Sequence, residues 1–434
     1  MSIAMELVLI VLSVGGLLAA MAGVHFLAPR FGWSAELQRK TVHVATGLYA
    51  LTLPLTFSEA WPVLLLCALA VLVLVVMRTP ALARSGIGST IHAVERQSYG
   101  EILLAVSVGF LFFRSIGSPV LFVLPMLVLT FSDAVAALTG IHYGRRLFPV
   151  EQGAKSIEGV VMFILVTFII SMVTLLLMTD VPRASVVVMS FILAAFGAQL
   201  EADSWRGLDN LFVPVGIHLF LQNNIETPLV GLLATALLYV AIIAVLVAAA
   251  PRLELTRQAA RGYGVLAFLI LSVTAPVNAL LPMAAFALFV VLRRAYACRS
   301  TYPDLDFLAA VTGTAMWWLF AGEWSGHNAI NLYNLTFAGV AATFAVLLLH
   351  NRSHALAGLL ALVLGAAVYA IQFANSTDAQ WMPGFSLAVL VSLGLCVAVA
   401  FAVPRWFERY RSARAFIVAL LVPLSSFAWK VLVS

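Results

Sequence analysis

Apolar runs of roughly 20 residues at 7–28, 60–77, 157–178, 229–250 and 384–403 decide the fold class of this chain. About 20 such residues give an α-helix long enough to cross the ~30 Å hydrocarbon layer, where backbone groups find no water and must bond within the segment. The period-2 alternation of a membrane barrel is absent, so the expected fold is all-α: a polytopic transmembrane helical bundle. Composition agrees, with 63% hydrophobic and 10% charged residues and a mean hydropathy of +1.06. Hydropathy gives roughly sixteen candidate spans, of which 101–113, 212–225 and 263–276 are short. The opening "MSIAMELVL" carries only Glu6 as an early charge, which is unlike the basic start of a cleaved signal, so the first span is expected to be retained.

Cys67, Cys298 and Cys396 are too scattered for a disulfide framework or a zinc site and are expected to pack. The net charge of +5 does not indicate nucleic acid, because in a membrane chain the position of the cations matters more than their number. With the N-terminus outside and the spans alternating, all of the 24 Lys and Arg residues except Arg114, Arg183 and Lys430 fall on one face. That bias puts the connections 34–41, 85–100, 142–156 and 201–210 in the cytoplasm. It is the topology expected of a bacterial inner (plasma) membrane protein with a cytoplasmic active site.

Charge inside or beside a span costs a few kcal/mol on insertion scales and marks function. Four cytoplasmic clusters stand out. "ELQRKTVHVATGLYAL" places Arg39, Lys40 and His43 on one helix face, where the cations also suit a topological role. "ERQSYGEILLAVSVG" opens an apolar segment with Gly100 and Glu101, and a Glu in a first turn also complements the helix dipole. "SDAVAALTGIHYGRRLFPVEQGAKSIEG" carries Asp133 and then Ala136, Ala137, Gly140 and Gly144 at helical spacing. Such a stripe serves either as a helix–helix contact or as a groove for a phosphate chain, with the carboxylate one turn away able to hold magnesium. Arg145, Arg146, Lys155, Ser156 and Glu158 follow, and phosphoryl chemistry needs such cations, hydroxyls and carboxylates together. "EADSWRGLDNLFVP" adds Glu201, Asp209 and Asn210, a pair that also suits a helix cap.

Taken in order, these stretches resemble the CTP-dependent membrane alcohol kinases, the family of dolichol kinase, phytol kinase and the yeast-type CTP-dependent diacylglycerol kinase. "RKTVHVATG" is similar to the family's basic-His motif and "SYGEI" to its Tyr-Gly-Glu motif. "DAVAALTGIHYG…KSIEG" is similar to its nucleotide motif, and "EADSWRGLDNLFVP" to its distal motif. Val160 and Ser132 depart from the family's usual small hydroxyl residue and Gly, and neither change removes a charge. The resemblance covers about residues 33–250 and implies transfer of the γ-phosphate of CTP to a lipid alcohol. Phytol, geranylgeraniol or a polyprenol is expected first and diacylglycerol second. Magnesium is expected on Asp133 with Glu158 or Asp209 and Asn210. Arg39, Lys40, His43, Gly140, Gly144, Lys155 and Ser156 are expected around the nucleotide, and Glu101 or Glu201 is expected to orient or deprotonate the alcohol. A phosphatidate cytidylyltransferase has a related central pattern, and a transporter with a charged path is the non-enzymatic alternative. Lipid and CTP are the expected partners, and the oligomeric state is open.

Two domains are expected: a kinase-like membrane domain at 1–250 and further helices of unknown function at 251–434. In the second, "GEWSGHNAINLYN" and "NSTDAQWMP" place Trp324 and Trp381 for an interfacial belt. Glu323, His327, Asn328, Asn331 and Asn334 suit a solvated loop or a polar site. Asp304 and Asp306 suit a helix cap.

Overall fold

A computed structural model describes residues 2–78, 99–151, 153–296, 298–350 and 353–433. Most of the 85–100 loop, including Arg96 and Gln97, lies outside the described residues, as do Arg84, Gln152 and Arg352. The chain is an all-α polytopic bundle, with sixteen helices among the described residues, twelve of them long and apolar enough to cross a membrane. It divides into two compact units, Met1–Ala241 and Ile242–Ser434.

The first unit opens with α1 (Ile3–Phe31), capped by the Ser2 side chain and closed by Gly32 at φ 62°, a left-handed turn that glycine adopts without Cβ strain. Then come α2 (Ala35–Thr56), capped by Ser34, and α3 (Ala60–Met77). Next are α4 (Gly100–Arg114) and α5 (Val120–Tyr143). After α5 the chain makes a two-stranded hairpin, β1 (Leu147–Val150) and β2 (Gly153–Ser156), which leads directly into α6 (Ile157–Met178). The unit continues with α7 (Arg183–Asp203), α8 (Asp209–Asn224) and the first part of α9 (Leu229–Leu253). The helices that fall short of the span criterion are α2, α4, α8 and α10. Of these α2 is long but opens on Glu36, Arg39 and Lys40, while α4 and α8 are short. Both α5 and α8 are interior helices, with Leu124, Met126, Val213 and Phe220 fully buried. The lipid-facing helices expose apolar side chains such as Leu177 on α6 and Leu237 on α9, as a surface bathed in hydrocarbon requires.

Two local features shape this unit. In α5 the residues Val128–Ser132 form a π turn immediately before Asp133. Such wide turns offset the hydrogen-bond ladder and are common at functional sites. Opposite it, a Cβ on Gly47 of α2 would lie 2.1 Å from Thr130 Oγ1, so only glycine lets α2 approach α5 this closely. The hairpin is antiparallel with Phe148 opposite Lys155 and Leu147 opposite Ser156. Strands of four residues, one of them containing Pro149, carry no alternation to recognise.

The second unit contains the end of α9, then α10 (Arg257–Val273) and α11 (Leu280–Ala295). After these come α12 (Pro303–Ser325), α13 (Ile330–Leu349), α14 (His354–Ala374), α15 (Phe385–Ala402) and α16 (Arg411–Val433). Its axis is α13, buried along nearly all its length, and Phe289 and Phe307 stack beside it at 4.4 Å. Asn331 and Asn334 are not loop residues but buried turns of α13. Asn334 bonds Asn278 at 2.6 Å, and Asn375 bonds Asn331 at 2.9 Å. His327 stacks on Trp381 at 4.3 Å. Asp304, in the first turn of α12, is held by Arg293 at 2.7 Å.

Candidate functional site

Three helices and the hairpin bring charged side chains to one end of the first unit. Lys40 on α2 and Asp133 on α5 meet at 2.6 Å, with the lysine 2% and the aspartate 3% exposed. His43, one turn along α2, lies 3.3 Å from the same Asp133 oxygen and 3.0 Å from the Leu129 carbonyl, which belongs to the π turn. Both neighbours of His43 Nε2 are acceptors, so in the neutral ring the proton sits on Nε2 and Nδ1 keeps its lone pair. Arg39 turns away from Lys40 and forms a two-pronged pair with Glu36 at 2.5 and 3.0 Å.

The hairpin supplies the second pair. Lys155 Nζ lies 2.6 Å from the Glu201 carboxylate and also bonds the Glu201 carbonyl, so β2 is fastened to the last turn of α7. Burial disfavours charge on Lys155. Glu201 first, then Asp209, outweigh that cost and raise its pKa above the ordinary lysine value, and Asp133 adds to the effect. Asp133 and Asp209 also act on Arg39. The first, third and fourth sequence clusters are therefore one electrostatic site. The second joins it through backbone, because Tyr99 N donates to Arg206 O at 2.9 Å. Glu101 then faces Arg78 at 3.1 Å, a partner absent from the sequence-based expectations.

Other expected site residues have structural neighbours. Ser156 caps α6 by accepting from Gly159 N at 3.1 Å. Its hydroxyl occupies the small-residue face of α5, since a Cβ on Gly140 would lie 2.9 Å from Ser156 Oγ and one on Gly144 would lie 2.8 Å from Ser156 Cβ. The glycine stripe thus lies against the start of α6. Gly144 itself follows the helix as its C-cap. Glu158 accepts from the Arg146 N–H at 3.2 and 3.3 Å and braces the neck of the hairpin.

Among the described residues no group of three or more His, Cys, Asp and Glu side chains gathers as a metal cage. Asp133 is engaged by Lys40 and His43, and Glu158 by backbone. The start of α8 differs. Asn210 is 3% exposed, yet its Oδ1 has no hydrogen-bond partner, and Asp209 precedes it. A buried unpaired carbonyl oxygen, next in sequence to a carboxylate, is a candidate ligand for magnesium, which takes one or two protein oxygens and completes its shell with phosphates and water.

An amphipathic groove with a cavity of about 140 Å³ opens from this site. Arg39, His43, Glu101 and Asn210 line its polar end. Below them it is walled by Leu17, Leu18 and Met21 of α1, Leu53 of α2, and Leu66 and Val73 of α3. Sequence reasoning missed this wall, because leucines that line a groove have the same spacing and hydropathy as leucines that face lipid.

The chain is 32% identical over 185 residues to the phytol kinase of Synechocystis sp., a match that covers 42% of this chain and 76% of that protein. No family model and no solved structure matches it.

Proposed function

Because the chain belongs to the family of membrane lipid-alcohol kinases that includes phytol kinase, we propose that it transfers the γ-phosphate of CTP to an isoprenoid alcohol at the cytoplasmic face of the membrane. The observation that carries this reading is the groove: an apolar channel between helices ending at Arg39, His43, Glu101 and Asn210. A prenyl tail fits its walls and leaves the hydroxyl at the charged end. A nucleotide arriving from the aqueous side meets Lys155 and Arg39.

In this reaction the alcohol oxygen forms a bond to the γ-phosphorus, the bond from that phosphorus to the β–γ bridging oxygen breaks, and the nucleoside diphosphate leaves. Phosphoryl transfer depends on positioning and charge neutralisation. Lys155, held charged by Glu201 and Asp209, supplies the neutralising ammonium. Glu101 lines the groove and Glu201 does not, so we assign Glu101 to orient the hydroxyl and take its proton. Lys40 and Asp133 hold α2 against α5 and set the position of His43 at the groove mouth. Magnesium at Asp209 and Asn210 would supply further charge neutralisation at the phosphates.

The test is incubation of the purified protein with γ-labelled CTP and a panel of lipid alcohols. Label recovered on a prenyl alcohol supports the reading. Label recovered on diacylglycerol alone replaces the acceptor. Label released in pyrophosphate identifies a cytidylyltransferase, and no turnover with any nucleotide favours a transporter.

A further inference from the structure

The lipid-facing side of α6 gives a depth scale for the first unit. Ile157, Val161, Leu165, Ile169, Val173 and Leu177 recur every four residues and are all exposed, so they form one stripe along the helix. At ~1.5 Å per residue the stripe runs roughly 30 Å, the thickness of the hydrocarbon layer. Ile157 therefore marks the level at which α6 passes into the headgroups.

The neck of the β hairpin sits at that level. Ile157 N donates to Arg146 O at 2.9 Å and Arg146 N donates to Glu158, so the chain entering β1 is tied to the first turn of α6. This neck exposes apolar and cationic groups side by side: Tyr143 is 73% and Leu147 65% exposed, with Arg145 and Arg146 exposed between them and Ile141 one turn back. At a bilayer surface each group has a partner, because the apolar side chains meet acyl chains, the tyrosine ring sits among headgroups and guanidinium groups take phosphate oxygens. The same hairpin reaches the site on its other side, where Lys155, opposite Phe148 in the ladder, pairs with Glu201.

We propose that Tyr143, Arg145, Arg146 and Leu147 form a binding site for the headgroup of an anionic phospholipid, and that its occupancy steadies the hairpin that carries Lys155. The ligand is a phosphodiester on a lipid of net negative charge. A zwitterionic lipid binds less well, since its own ammonium competes with the arginines for the phosphate. The binding site stands apart from the kinase reading above, whereas its effect through Lys155 rests on that reading. Arginines that served topology alone would leave turnover independent of the surrounding lipid.

The experiment uses the full chain in lipid discs of phosphatidylcholine alone or in equal mixture with phosphatidylglycerol. Native mass spectrometry of protein released from the mixed discs counts the lipids it retains, and the labelled-CTP assay with geranylgeraniol reads turnover. The parent is expected to retain phosphatidylglycerol over phosphatidylcholine at least about fivefold, the discrimination one arginine gives near an anionic surface, and to turn over at least about threefold faster in the mixed discs. Arg145→Gln with Arg146→Gln should lose both differences, and Arg145→Lys with Arg146→Lys should keep most of each. Arg405→Gln with Arg409→Gln, which removes exposed charge from the second unit, should leave the turnover ratio as in the parent. Because each ratio is taken within one preparation, a loss of folded protein does not mimic either change. Equal retention of the two lipids by the parent, unchanged ratios in the first glutamine pair, or the same loss of the turnover ratio from the second-unit pair would overturn the site. A nucleotide KM raised by the first glutamine pair in phosphatidylcholine discs would overturn it by moving the arginines to the nucleotide, and a dimer dissociated by that pair would replace the lipid with a second copy of the chain. Selective retention, lost in the first glutamine pair, by a chain that phosphorylates no alcohol would uphold the lipid site and overturn the kinase reading alone.

Discussion

Lys40 and Asp133 are 93 residues apart in the chain and 2.6 Å apart in the fold, buried where α2 crosses the π turn of α5. An isolated charge at that position would be expelled or neutralised, whereas the pair, with His43 against it, is stable and fixes the register of the two helices.

Removing one partner should therefore cost more than removing both. Asp133→Asn leaves the Lys40 ammonium buried and unpaired, with an expected loss of about 3–5 kcal/mol and of lipid phosphorylation. Lys40→Met combined with Asp133→Leu should recover most of the stability but not the activity. Thermal unfolding in detergent and the labelled-CTP assay read the two effects separately. A single mutant as stable and active as the parent would remove the pair from the site.

Gly47→Ala should separate α2 from α5, because the new Cβ meets all three side-chain heavy atoms of Thr130 at 2.9 Å or less and no rotamer of Thr130 removes the clash. The expected cost is about 1–3 kcal/mol, the usual range for overpacking. Thr130→Ala in the same protein should restore part of it. A midpoint unchanged by Gly47→Ala would show that the helices do not approach this closely.

Lys155→Met should raise KM for the nucleotide and lower kcat at least tenfold, since the ammonium would act on the phosphates both in the bound complex and in the transition state. The pH dependence follows from the sign of its shift. The folded pKa is raised, so its charge is complete below the unfolded value of about 10.4 and disappears only as pH rises through the higher folded value. Lys155 should thus contribute no change in nucleotide KM between about pH 6 and 9. A basic limb in that window, present in the parent and absent in the methionine variant, would contradict the pairing.

Glu101→Gln should lower kcat by about 10²–10⁴ if its carboxylate takes the proton of the alcohol, with little effect on nucleotide KM. Glu201→Gln should act mainly through Lys155 and raise nucleotide KM. Measuring both constants for both variants separates the two carboxylates. The opposite pattern would exchange their roles.

Cysteine placed at Ala35 or Ala154, both exposed, should react with an impermeant thiol reagent only after the cells are permeabilised. Cys67 and Cys396 are buried, so a Cys298→Ser background suffices. Labelling in intact cells would put these connections outside and invert the proposed topology.

Fold class is legible in the amino-acid sequence, because each span must satisfy its own backbone in hydrocarbon and advertises this with some 20 apolar residues. The charged groups are legible there too. Asp133, Lys155, Glu201 and Asp209 stand out as charges next to spans whatever their partners, since their cost is local.

Which of these groups pair is settled by the packing of the helices. That packing joined Lys40 to Asp133 and Lys155 to Glu201, filled the Gly140 face with Ser156, and turned Glu158 to the Arg146 backbone. These outcomes depend on helix register and on a hairpin too short to leave a periodic signal. The groove was hidden for a different reason. A leucine facing lipid, a leucine facing a neighbouring helix and a leucine facing a substrate tail contribute the same hydropathy. That groove exists only once helices from five parts of the chain stand around it.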